Sequence, residues 1–436
     1  MDRSNVIVFD LEADNLYLLS KKIWYIKFKT LDGSRELALK PFEQGKEYCR
    51  KAILDFLSQF DKPTIAGHNI LGYDLWMLWK HLDLVPRIGK GGKDWIDNTE
   101  VGVVDTYALS SYLVPDSLSH SLEYLATGSE SEKINFRKVL IDEGLLDPSA
   151  QKGSEFSFFS EHMVTYCDRD VDASIVVFDK LWSKGREMYS DKVWPHKSFR
   201  QFQKDYWLYS AQAYSGVKFD KEKAVKLLEH IDEQMAAIKA EVDPVLPPRP
   251  LKTAEQAFYK IPSKPFKKNG ELSETMLKWL AKHNARIEDG NILAYNLVVP
   301  LVANEILPVK LPMEIDDNNE LKQYFLDSGW VPHEDFWNLK KDPITNKPVR
   351  DERGNVIKTT PKIQNAGQLC PNLLKLNGDI PAKVVKFLSY RNRRGVVQGW
   401  LDNWRIEWDG RISAEISGYT PTFRVKHKTV DFTSRL

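Results

Sequence analysis

The feature that most constrains the fold of this 436-residue chain is a short segment near its N-terminus. Residues 5–15 read NVIVFDLEADN, so four apolar residues lead directly into Asp10, and Glu12 follows two positions later. Side chains alternate between the two faces of a β-strand, so both carboxylates point the same way out of an otherwise apolar strand. Like charges this close raise one pKa unless a cation holds them. Two interpretations stay open: a solvated strand end, or a cation site.

The first 190 or so residues alternate between strand and helix patterns. The apolar run before Asp10 predicts a central strand covered on both faces. Residues 22–30 and 35–40 flank a turn at Asp32-Gly33 and predict a hairpin. Strands followed by alternating strands and helices predict an α/β fold, a mixed sheet with helices on both faces. The other patterned segments are a strand at 63–69, a strand turning helical over 101–113, and helices at 47–60, 73–82, 119–126 and 161–184.

The predicted helix at 161–184 carries a further buried acid. Its apolar stripe includes Cys167 and Val171, and Asp170 lies within that stripe rather than on the acidic outer face. A carboxylate on a buried face is unfavourable unless it is paired or metal-bound. Tyr166 lies one turn earlier on the same face. Either the tyrosine packs on the core beside a capping carboxylate, or both groups are directed at one site.

A fourth acid comes from HNILGYDLWML, where Asn69 ends a predicted strand and Asp74 begins a helix. Taken alone, Asp74 is explained as a helix cap. Together with Asp10, Glu12 and Asp170 it gives four acids projected from a strand, a helix start and a helix. Hard divalent ions prefer oxygen ligands and keep positions open for water. The four acids therefore predict a site for two such ions.

Composition excludes several classes of protein. Lys plus Arg (62) nearly equals Asp plus Glu (61), so net charge identifies no partner, although 260–270, 383–394 and RVKHKT are locally basic. Cys49, Cys167 and Cys370 lack CxxC spacing, which predicts reduced thiols rather than disulfides or a zinc site. The sequence has no signal-peptide pattern and no run near the ~20 apolar residues of a membrane span, so a cytoplasmic protein is expected.

The segments FDLEADN, HNILGYD and YCDRD resemble, in order, the three motifs of the proofreading 3′–5′ exonucleases of the DEDD superfamily. The spacing from Tyr166 to Asp170 matches the subgroup with tyrosine in the third motif. VVDTYALSSYL, with Asp105, resembles a segment between the second and third motifs. The resemblance implies a ribonuclease H-like fold, two Mg²⁺ or Mn²⁺ ions, release of nucleoside monophosphates, and contact of Asn69 with the terminal nucleotide.

The same resemblance implies a role for each catalytic residue. Asp10, Glu12 and Asp170 would hold the ion that generates the attacking hydroxide. Asp10, with Asp74 in the outer shell, would hold the ion at the leaving 3′ oxygen. Tyr166 would orient the attacking water.

The remainder of the chain resembles the thumb of family A (Pol I-like) DNA polymerases, with short-tailed bacteriophage enzymes as the nearest match. The segments that carry this resemblance are WLYSAQAYSGVKFD, the long helix after it, LKQYFLDSGWVP and LSYRNRRGVVQGWLDNW. GRISAEISGYTPTFRVKHK resembles the first strands of a palm, in which Thr422 and Arg424 match a T-x-R element that holds primer backbone. Arg391, Arg393 and Arg394 on one helix are expected to contact DNA phosphates. Arg424, Lys426 and Lys428 are expected to do so from one extended face.

Three domains are predicted: an exonuclease at 1–195, a thumb-like, mainly helical domain at 196–405 and the incomplete start of a palm at 406–436. A Pro- and Lys-rich stretch opens an insertion at about 243–310, and its first part, 243–270, is expected to be irregular. The insertion is either a surface loop or a thumb extension that docks a host processivity factor, as in some phage polymerases.

A family A polymerase continues past the T-x-R element into palm aspartate motifs and a fingers helix, whereas this sequence ends at Leu436. We expect either a truncated sequence or, preferably, one chain of a split polymerase completed by a separate palm and fingers chain. An orphaned palm strand would otherwise expose unpaired edges and apolar surface. The leading prediction is thus a proofreading exonuclease and thumb subunit. The alternatives are an independent DNA or RNA exonuclease with a helical accessory domain, and a non-catalytic primer–template clamp.

Overall fold

The computed structural model describes residues 2–129, 134–190, 193–343, 347–365, 368–376, 378–420 and 424–429. The chain forms two compact units: unit 1 comprises 1–221 with 402–436, and unit 2 comprises 222–401. The described strands are β1 (Val6–Ala13), β2 (Ile23–Thr30), β3 (Glu36–Leu39), β4 (Thr64–Gly67), β5 (Pro86–Lys90), β6 (Lys93–Ile96), β7 (Thr99–Asp105), β8 (Val217–Lys218), β9 (Arg286–Glu288), β10 (Asn291–Ala294), β11 (Leu297–Pro300), β12 (Trp337–Leu339), β13 (Lys358–Pro361), β14 (Gln364–Asn365), β15 (Gln368–Leu369), β16 (Arg411–Ile412), β17 (Ala414–Tyr419) and β18 (Val425–Thr429).

The described helices are α1 (Pro41–Gln44), α2 (Lys46–Leu57), α3 (Asp74–Leu82), α4 (Thr106–Leu113), α5 (Leu122–Ala126), α6 (Phe136–Asp142), α7 (Glu161–Tyr189), α8 (Lys197–Ser215), α9 (Lys221–Val242), α10 (Thr253–Tyr259), α11 (Glu274–Lys282), α12 (Asn318–Asp327), α13 (Asp379–Leu401) and α14 (Trp404–Asp409). Short 3₁₀ helices lie at Arg3–Asn5, Ser154–Phe156, Asp243–Val245 and Pro371–Lys375. None of the helices described is long and apolar enough to cross a bilayer.

A seven-stranded sheet in the order β3-β2-β1-β4-β7-β6-β5 forms the centre of unit 1. Strand β1 is internal: it pairs in parallel with β4 and antiparallel with β2, and β4 pairs in parallel with β7. The remaining pairs, β2 with β3, β5 with β6 and β6 with β7, are antiparallel. The predicted mixed α/β sheet is confirmed, as is the predicted hairpin, which forms β2 and β3.

Helices cover both faces of this sheet, and β1 contributes to both cores. The odd-numbered residues Ile7, Phe9 and Leu11 pack in the core that contains α2 and α3. Val6 and Val8 pack in the core that contains α5 and the buried apolar residues of α7 from Val171 to Leu181. Because side chains of a strand repeat every two residues, Asp10 and Glu12 continue the row of Val6 and Val8 and lie on the α7 side.

Helix α8 belongs to the core of unit 1, although the predicted exonuclease domain ends before it, at residue 195. The Trp207 ring stacks on the Trp76 ring with centroids 4.0 Å apart. The buried Gln203 side chain accepts a hydrogen bond from the Asp105 backbone N–H at 2.7 Å and donates one to the Val103 carbonyl at 3.0 Å. Strand β6 pairs with β7 only over residues 99–101, and Gln203 supplies hydrogen-bond partners for the last part of β7.

The segment after unit 2 returns to unit 1. The buried Arg405 guanidinium donates hydrogen bonds to the Tyr214 carbonyl at 2.8 Å and the Ser215 carbonyl at 2.9 Å. Unit 1 therefore includes α8 and residues 402–436, whereas the predicted exonuclease domain ends at 195. The assignment of a function to each predicted domain stays a prediction.

Unit 2 contains two apolar cores. Val242 of α9, Phe325 of α12 and Phe387 of α13 share the first. Met276 of α11 and Ile292 of β10 share the second, which forms within the region predicted as an insertion. The small sheet β11-β10-β9 belongs to this second core. The insertion is therefore a packed substructure.

The expectation that 243–270 is irregular is wrong in part. Helix α10 forms there, and the Arg249 guanidinium binds both oxygens of the Glu255 carboxylate at 2.8 Å, which fixes the first turn of the helix to the preceding chain. In the polar segment between β12 and β13, Arg350 and Val356 form an antiparallel bridge, and Gly354 adopts a positive φ of 82° in the turn between them.

Asp105, the last residue of β7, is fully buried and ties two segments together. Its Oδ1 accepts hydrogen bonds from the N–H groups of Asn69, Tyr107 and Ala108, at 2.8–3.2 Å, and its Oδ2 accepts one from Leu71 at 2.9 Å. Burial raises the pKa of this carboxyl to about 6, against the opposing effect of these hydrogen bonds. The β4–α3 loop and the start of α4 thus share one anchor.

We expect Asp105→Asn to lower the free energy of unfolding by about 1–3 kcal/mol, because the new amide N–H₂ would face the Leu71 N–H and leave buried donors unpaired. The folded-state pKa of Asp105 is raised, so its contribution to stability is greatest below about pH 4 and declines as pH rises through 6. The loss should therefore be larger at pH 5 than at pH 7.5. Urea unfolding at both pH values, with the exposed Asp116→Asn as control, measures it, and a loss that grows with pH would contradict the assignment.

Candidate metal and catalytic site

Two carboxylates and a thiol meet between β1 and α7. One ligand atom each of Asp10, Glu12 and Cys167 lies within 4.8 Å of the other two. Asp10 is half-buried, whereas Glu12 and Cys167 are buried. The alternation of β1 directs the carboxylates at the helix, and Cys167 faces the strand from its second turn. The cluster therefore lies at the point where the apolar row of β1 ends.

Asp74 adds a third carboxylate from the start of α3. Its Oδ1 accepts a hydrogen bond of 3.2 Å from the backbone N–H of Leu11, which lies between Asp10 and Glu12. Burial raises the pKa of Asp74 well above its ordinary value, and the charge of Asp10 raises it further. Asp74 is thus a buried acid that is hydrogen-bonded to the backbone of β1. This contact is separate from any effect of its carboxylate on the start of α3.

Tyr166 and Asp170 lie one turn apart on the buried side of α7. The Tyr166 hydroxyl donates a hydrogen bond to the Asp170 carboxylate. Burial is the main cause that raises the phenol pKa far above its ordinary value, followed by the charges of Asp170, Glu12 and Asp10. Tyr166 therefore keeps its proton at neutral pH and acts as a hydrogen-bond donor.

Aromatic neighbours fix the ring of Tyr166. Phe136 of α6 stacks on it at a centroid distance of 5.2 Å, and Phe156 lies 6.3 Å away. The Trp24 Nε1–H group donates a hydrogen bond of 2.8 Å to the Phe156 carbonyl, which joins this cluster to β2. Sequence reasoning did not connect these residues with the site, because they come from separate segments.

Asn69 occupies the loop between β4 and α3 in a left-handed conformation, with φ of 61°. Its carbonyl accepts hydrogen bonds from the N–H groups of Gly72 and Tyr73 at 2.9 and 3.0 Å. A Cβ at Gly72 would lie 2.2 Å from Asn69 Oδ1. Only glycine at position 72 therefore avoids a steric clash with the Asn69 side chain in this conformation. The Tyr73 hydroxyl donates to the Asn15 carbonyl at 2.8 Å and fixes the loop to the segment after β1.

The donor set fits a hard divalent cation. Carboxylate oxygens are the ligands that Mg²⁺ and Mn²⁺ prefer. Burial, with the charges of Asp10 and Glu12, raises the pKa of the Cys167 thiol well above its ordinary value, so the anionic ligands here are carboxylates. A bound cation would also relieve the repulsion that raises the pKa of Asp74. Cys167 was not predicted as part of this set, although its position three residues before Asp170 is a signal for the same helix face.

The arginines predicted to contact DNA lie on α13. Arg391 Nη2 donates to Asn318 Oδ1 at 2.9 Å, and Arg394 Nε forms an ion pair with Asp232 Oδ1 at 2.6 Å. Arg393 is exposed. Two of the three thus have polar partners within unit 2, and their contact with phosphates stays a prediction.

The predicted palm contacts lie mostly outside the part of the chain that is described. Thr422 is outside it, as are the side chains of Lys426 and Lys428, although the backbone of both lies in β18. Arg424 is exposed, and its backbone N–H donates to Thr420 Oγ1 at 3.0 Å. The role of these residues in DNA binding stays a prediction.

Comparison with known proteins finds a sequence family that is similar to the N-terminal part of the chain. Residues 1–186 match the sequence family described as 3′–5′ exonuclease. No curated protein sequence resembles the chain at a significant level. The N-terminal part of unit 1, with its mixed sheet and helices on both faces, is therefore similar in sequence to 3′–5′ exonucleases.

Solved structures that resemble the chain include the family B DNA polymerase of the hyperthermophilic archaeon Pyrobaculum calidifontis. It is 19% identical, with a TM-score of 0.32, and the match covers 49% of this chain and 30% of that polymerase. NrnC of Brucella melitensis is 14% identical, with a TM-score of 0.33, over 49% of this chain and 88% of NrnC. The same protein with bound Mg²⁺ is 15% identical, with a TM-score of 0.31, over 49% of this chain and 89% of that one.

We expect divalent ions to stabilise the protein through the carboxylate cluster. Mg²⁺ or Mn²⁺ at about 100 times its Kd should add about 2.7 kcal/mol to the free energy of unfolding. In EDTA, Asp10→Asn should unfold at the same temperature as the wild type or higher, because one of the repelling charges is gone, and its response to the ions should be nearly lost. Calorimetry with and without the ions, with Asp116→Asn as control, measures both effects. An Asp10→Asn variant with the wild-type response to metal would contradict the site.

Proposed function

We propose that unit 1 hydrolyses DNA from its 3′ end and releases nucleoside monophosphates. One observation supports this most strongly: Asp10, Glu12 and Asp74 converge on one stretch of β1, and Asp170 and Tyr166 face it from α7. Acids gathered in this way are electrostatically unfavourable without cations, and their oxygen donors suit the divalent ions on which phosphodiester hydrolysis depends. The 3′–5′ polarity is supported by the family match of residues 1–186.

Each residue of the site has a role in this proposal. Two divalent ions, when bound, would supply charge stabilisation at the attacking and leaving oxygens. Asp10, Glu12 and Asp170 would hold one ion, and Asp10 with Asp74 in the outer shell would hold the other. Tyr166 keeps its proton, so it would orient the attacking water by a hydrogen bond and could not remove a proton from it.

Asn69 is proposed to contact the terminal nucleotide. Its side chain is half-buried in the loop that also begins α3, so it lies on the same segment as Asp74. The left-handed backbone and the two hydrogen bonds to its carbonyl restrict this loop before substrate arrives. Restriction of this kind lowers the entropy that is lost when a strand end is positioned for attack.

The wider role that we propose is proofreading beside a polymerase. The resemblance of unit 2 and its flanking segments to a family A thumb supports this role, in which the chain removes mismatched primer ends in the host cytoplasm. A separate palm and fingers chain, of phage type, would be the partner of a split polymerase. The packed insertion at about 243–310 would be the place for a host processivity factor, and Arg391, Arg393 and Arg394 would approach the duplex.

A 5′-labelled single strand and a primer–template with a mismatched 3′ end, incubated with Mg²⁺, Mn²⁺ or EDTA, test the activity. We expect stepwise shortening from the 3′ end that requires a divalent ion. Asp10→Ala and Asp74→Asn should lower kcat by at least 10³-fold, whereas Tyr166→Phe should lower it by about 10–100-fold because only an orienting hydrogen bond is lost. Asp116→Asn should behave as the wild type. Shortening that persists in Asp10→Ala would refute the proposal.

The partner is tested by mixing the full chain with any palm-bearing polymerase chain encoded in the same genome. We expect a complex in size-exclusion chromatography and primer extension that neither chain supports alone. Arg393→Glu should weaken extension at low salt more than at high salt, because a lost phosphate contact reduces the part of the affinity that depends on salt. If no complex forms and no extension appears, the split-polymerase part of the proposal fails, and the exonuclease part is unaffected.

A further inference from the structure

A cleft of about 860 Å³ lies in unit 1, away from the carboxylate cluster. Its walls are the β5–β6 hairpin, β7, the C-terminal part of α7 and the first turns of α8. Trp182 of α7 lines it, twelve residues beyond Asp170 on the same helix. A rise of 1.5 Å per residue separates these two positions by about 18 Å along the helix axis. The cleft is therefore a separate concavity on the α7 side of the sheet.

Cations predominate in the lining of this cleft. It contains two carboxylates, Asp94 and Glu100, and both have partners of their own. Glu100 pairs with Lys93 at 2.8 Å, and Asp94 accepts hydrogen bonds from backbone N–H groups, at 2.7 Å from Gly89 and 3.3 Å from Val103. The lining cations are Lys62, Lys93, Arg186, Lys197, Arg200 and Lys204. Among the described residues of the lining, six positive and two negative side chains leave an excess of four positive charges, which favours a polyanion.

An aromatic surface accompanies the charges. Trp182 is half-exposed in the cleft, and Arg186 follows it one helical turn later. The Phe178 ring stacks on the indole at a centroid distance of 5.3 Å. The Trp194 ring contacts it in a T-shaped arrangement, also with centroids 5.3 Å apart. A rigid aromatic ring beside cations is the arrangement on which bases of single-stranded nucleic acid stack while their phosphates are neutralised.

We propose that this cleft binds single-stranded nucleic acid, with phosphates on the cations of α7 and α8 and a base against Trp182. The volume exceeds the need of one phosphate and falls within the range of sites that hold small organic ligands, so it has room for more than a single nucleotide unit. The assignment rests on the proposed function in one respect, namely that the bound strand is a substrate of the same domain. A long strand then contacts the protein at the cleft as well as at the carboxylates.

Photo-crosslinking of the full chain tests the site without catalysis. The probe is a 20-nucleotide deoxythymidylate with 5-iododeoxyuridine at alternate positions, in EDTA, with crosslinked peptides identified by mass spectrometry. We expect a crosslink on the peptide that contains Trp182, and at least a fivefold loss of its yield in Lys197→Glu/Arg200→Glu. Glutamates in the first turn of α8 favour the helix, and thermal unfolding verifies that this variant is folded.

The matched control is Arg35→Glu/Lys51→Glu, which changes the net charge equally outside the cleft lining: Arg35 directly precedes β3, and Lys51 lies on α2. We expect it to keep the crosslink yield within twofold. The absence of any crosslink to residues of the cleft, or an equal yield in the cleft variant and the wild type, would overturn the proposal. So would full competition by thymidine monophosphate at the same phosphate concentration, which would assign the cleft to a mononucleotide.

Hydrolysis in Mn²⁺ separates this inference from the proposed function. A thymidine dinucleotide occupies the carboxylate site alone, so Lys197→Glu/Arg200→Glu should cleave it at the wild-type rate. The KM for the 20-nucleotide strand should rise at least fivefold in this variant, with kcat unchanged. A wild type that crosslinks at Trp182 and hydrolyses neither substrate would refute the proposed function alone. A wild type that hydrolyses both substrates and shows no crosslink in the cleft would refute the proposal for the cleft and leave the proposed function intact.

Discussion

Unit 1 holds several carboxylates close together against their mutual repulsion. The rest of the unit has to be stable enough to keep them there. Asp10 raises the pKa of the buried Asp74, and both lie against the same stretch of β1. Such a grouping persists only if the elements that carry it are fixed by other interactions. β1 is paired on both sides, and Phe9 beneath it stacks on Phe28 at 5.0 Å. Apolar packing and sheet pairing thus hold an arrangement that its own charges oppose.

The loop that carries Asn69 is stabilised in the same indirect way. The Asp105 carboxylate accepts four backbone hydrogen bonds and is itself placed by Gln203 of α8. None of these groups has to touch a substrate. They determine where Asn69 and Asp74 lie, so changes at Asp105 or Gln203 are expected to act through position rather than through chemistry.

Much of the site could be predicted because it depends on local periodicity. The two-residue repeat of β1 places Asp10 and Glu12 on one face, and the helical repeat of α7 places Tyr166 and Asp170 on another. Residues that meet through tertiary packing could not be predicted in this way. Phe136 stacks on Tyr166 from a helix thirty residues earlier, and the sequence around it gives no sign of that contact.

Charge patterns show the same difference. A cluster of arginines on α13 is visible in the sequence, but Asp232 and Asn318, which two of them contact, come from distant segments. The cations of the cleft are the converse case. They come from separate segments between residues 62 and 204 and form no basic run, so only the fold brings them together.

The contacts of α8 with α3 and β7 limit where the chain can be cut without loss of packing. Sequence similarity to exonucleases stops at residue 186, and a boundary drawn there would cut the chain before α8. Such a fragment would keep every acidic residue of the site, yet it would lack the Trp207 ring that stacks on Trp76 and the amide that pairs with Asp105. A fragment that keeps these contacts is longer than the matched motifs suggest. We expect it to extend at least through Ser215, the end of a helix that carries none of the site residues.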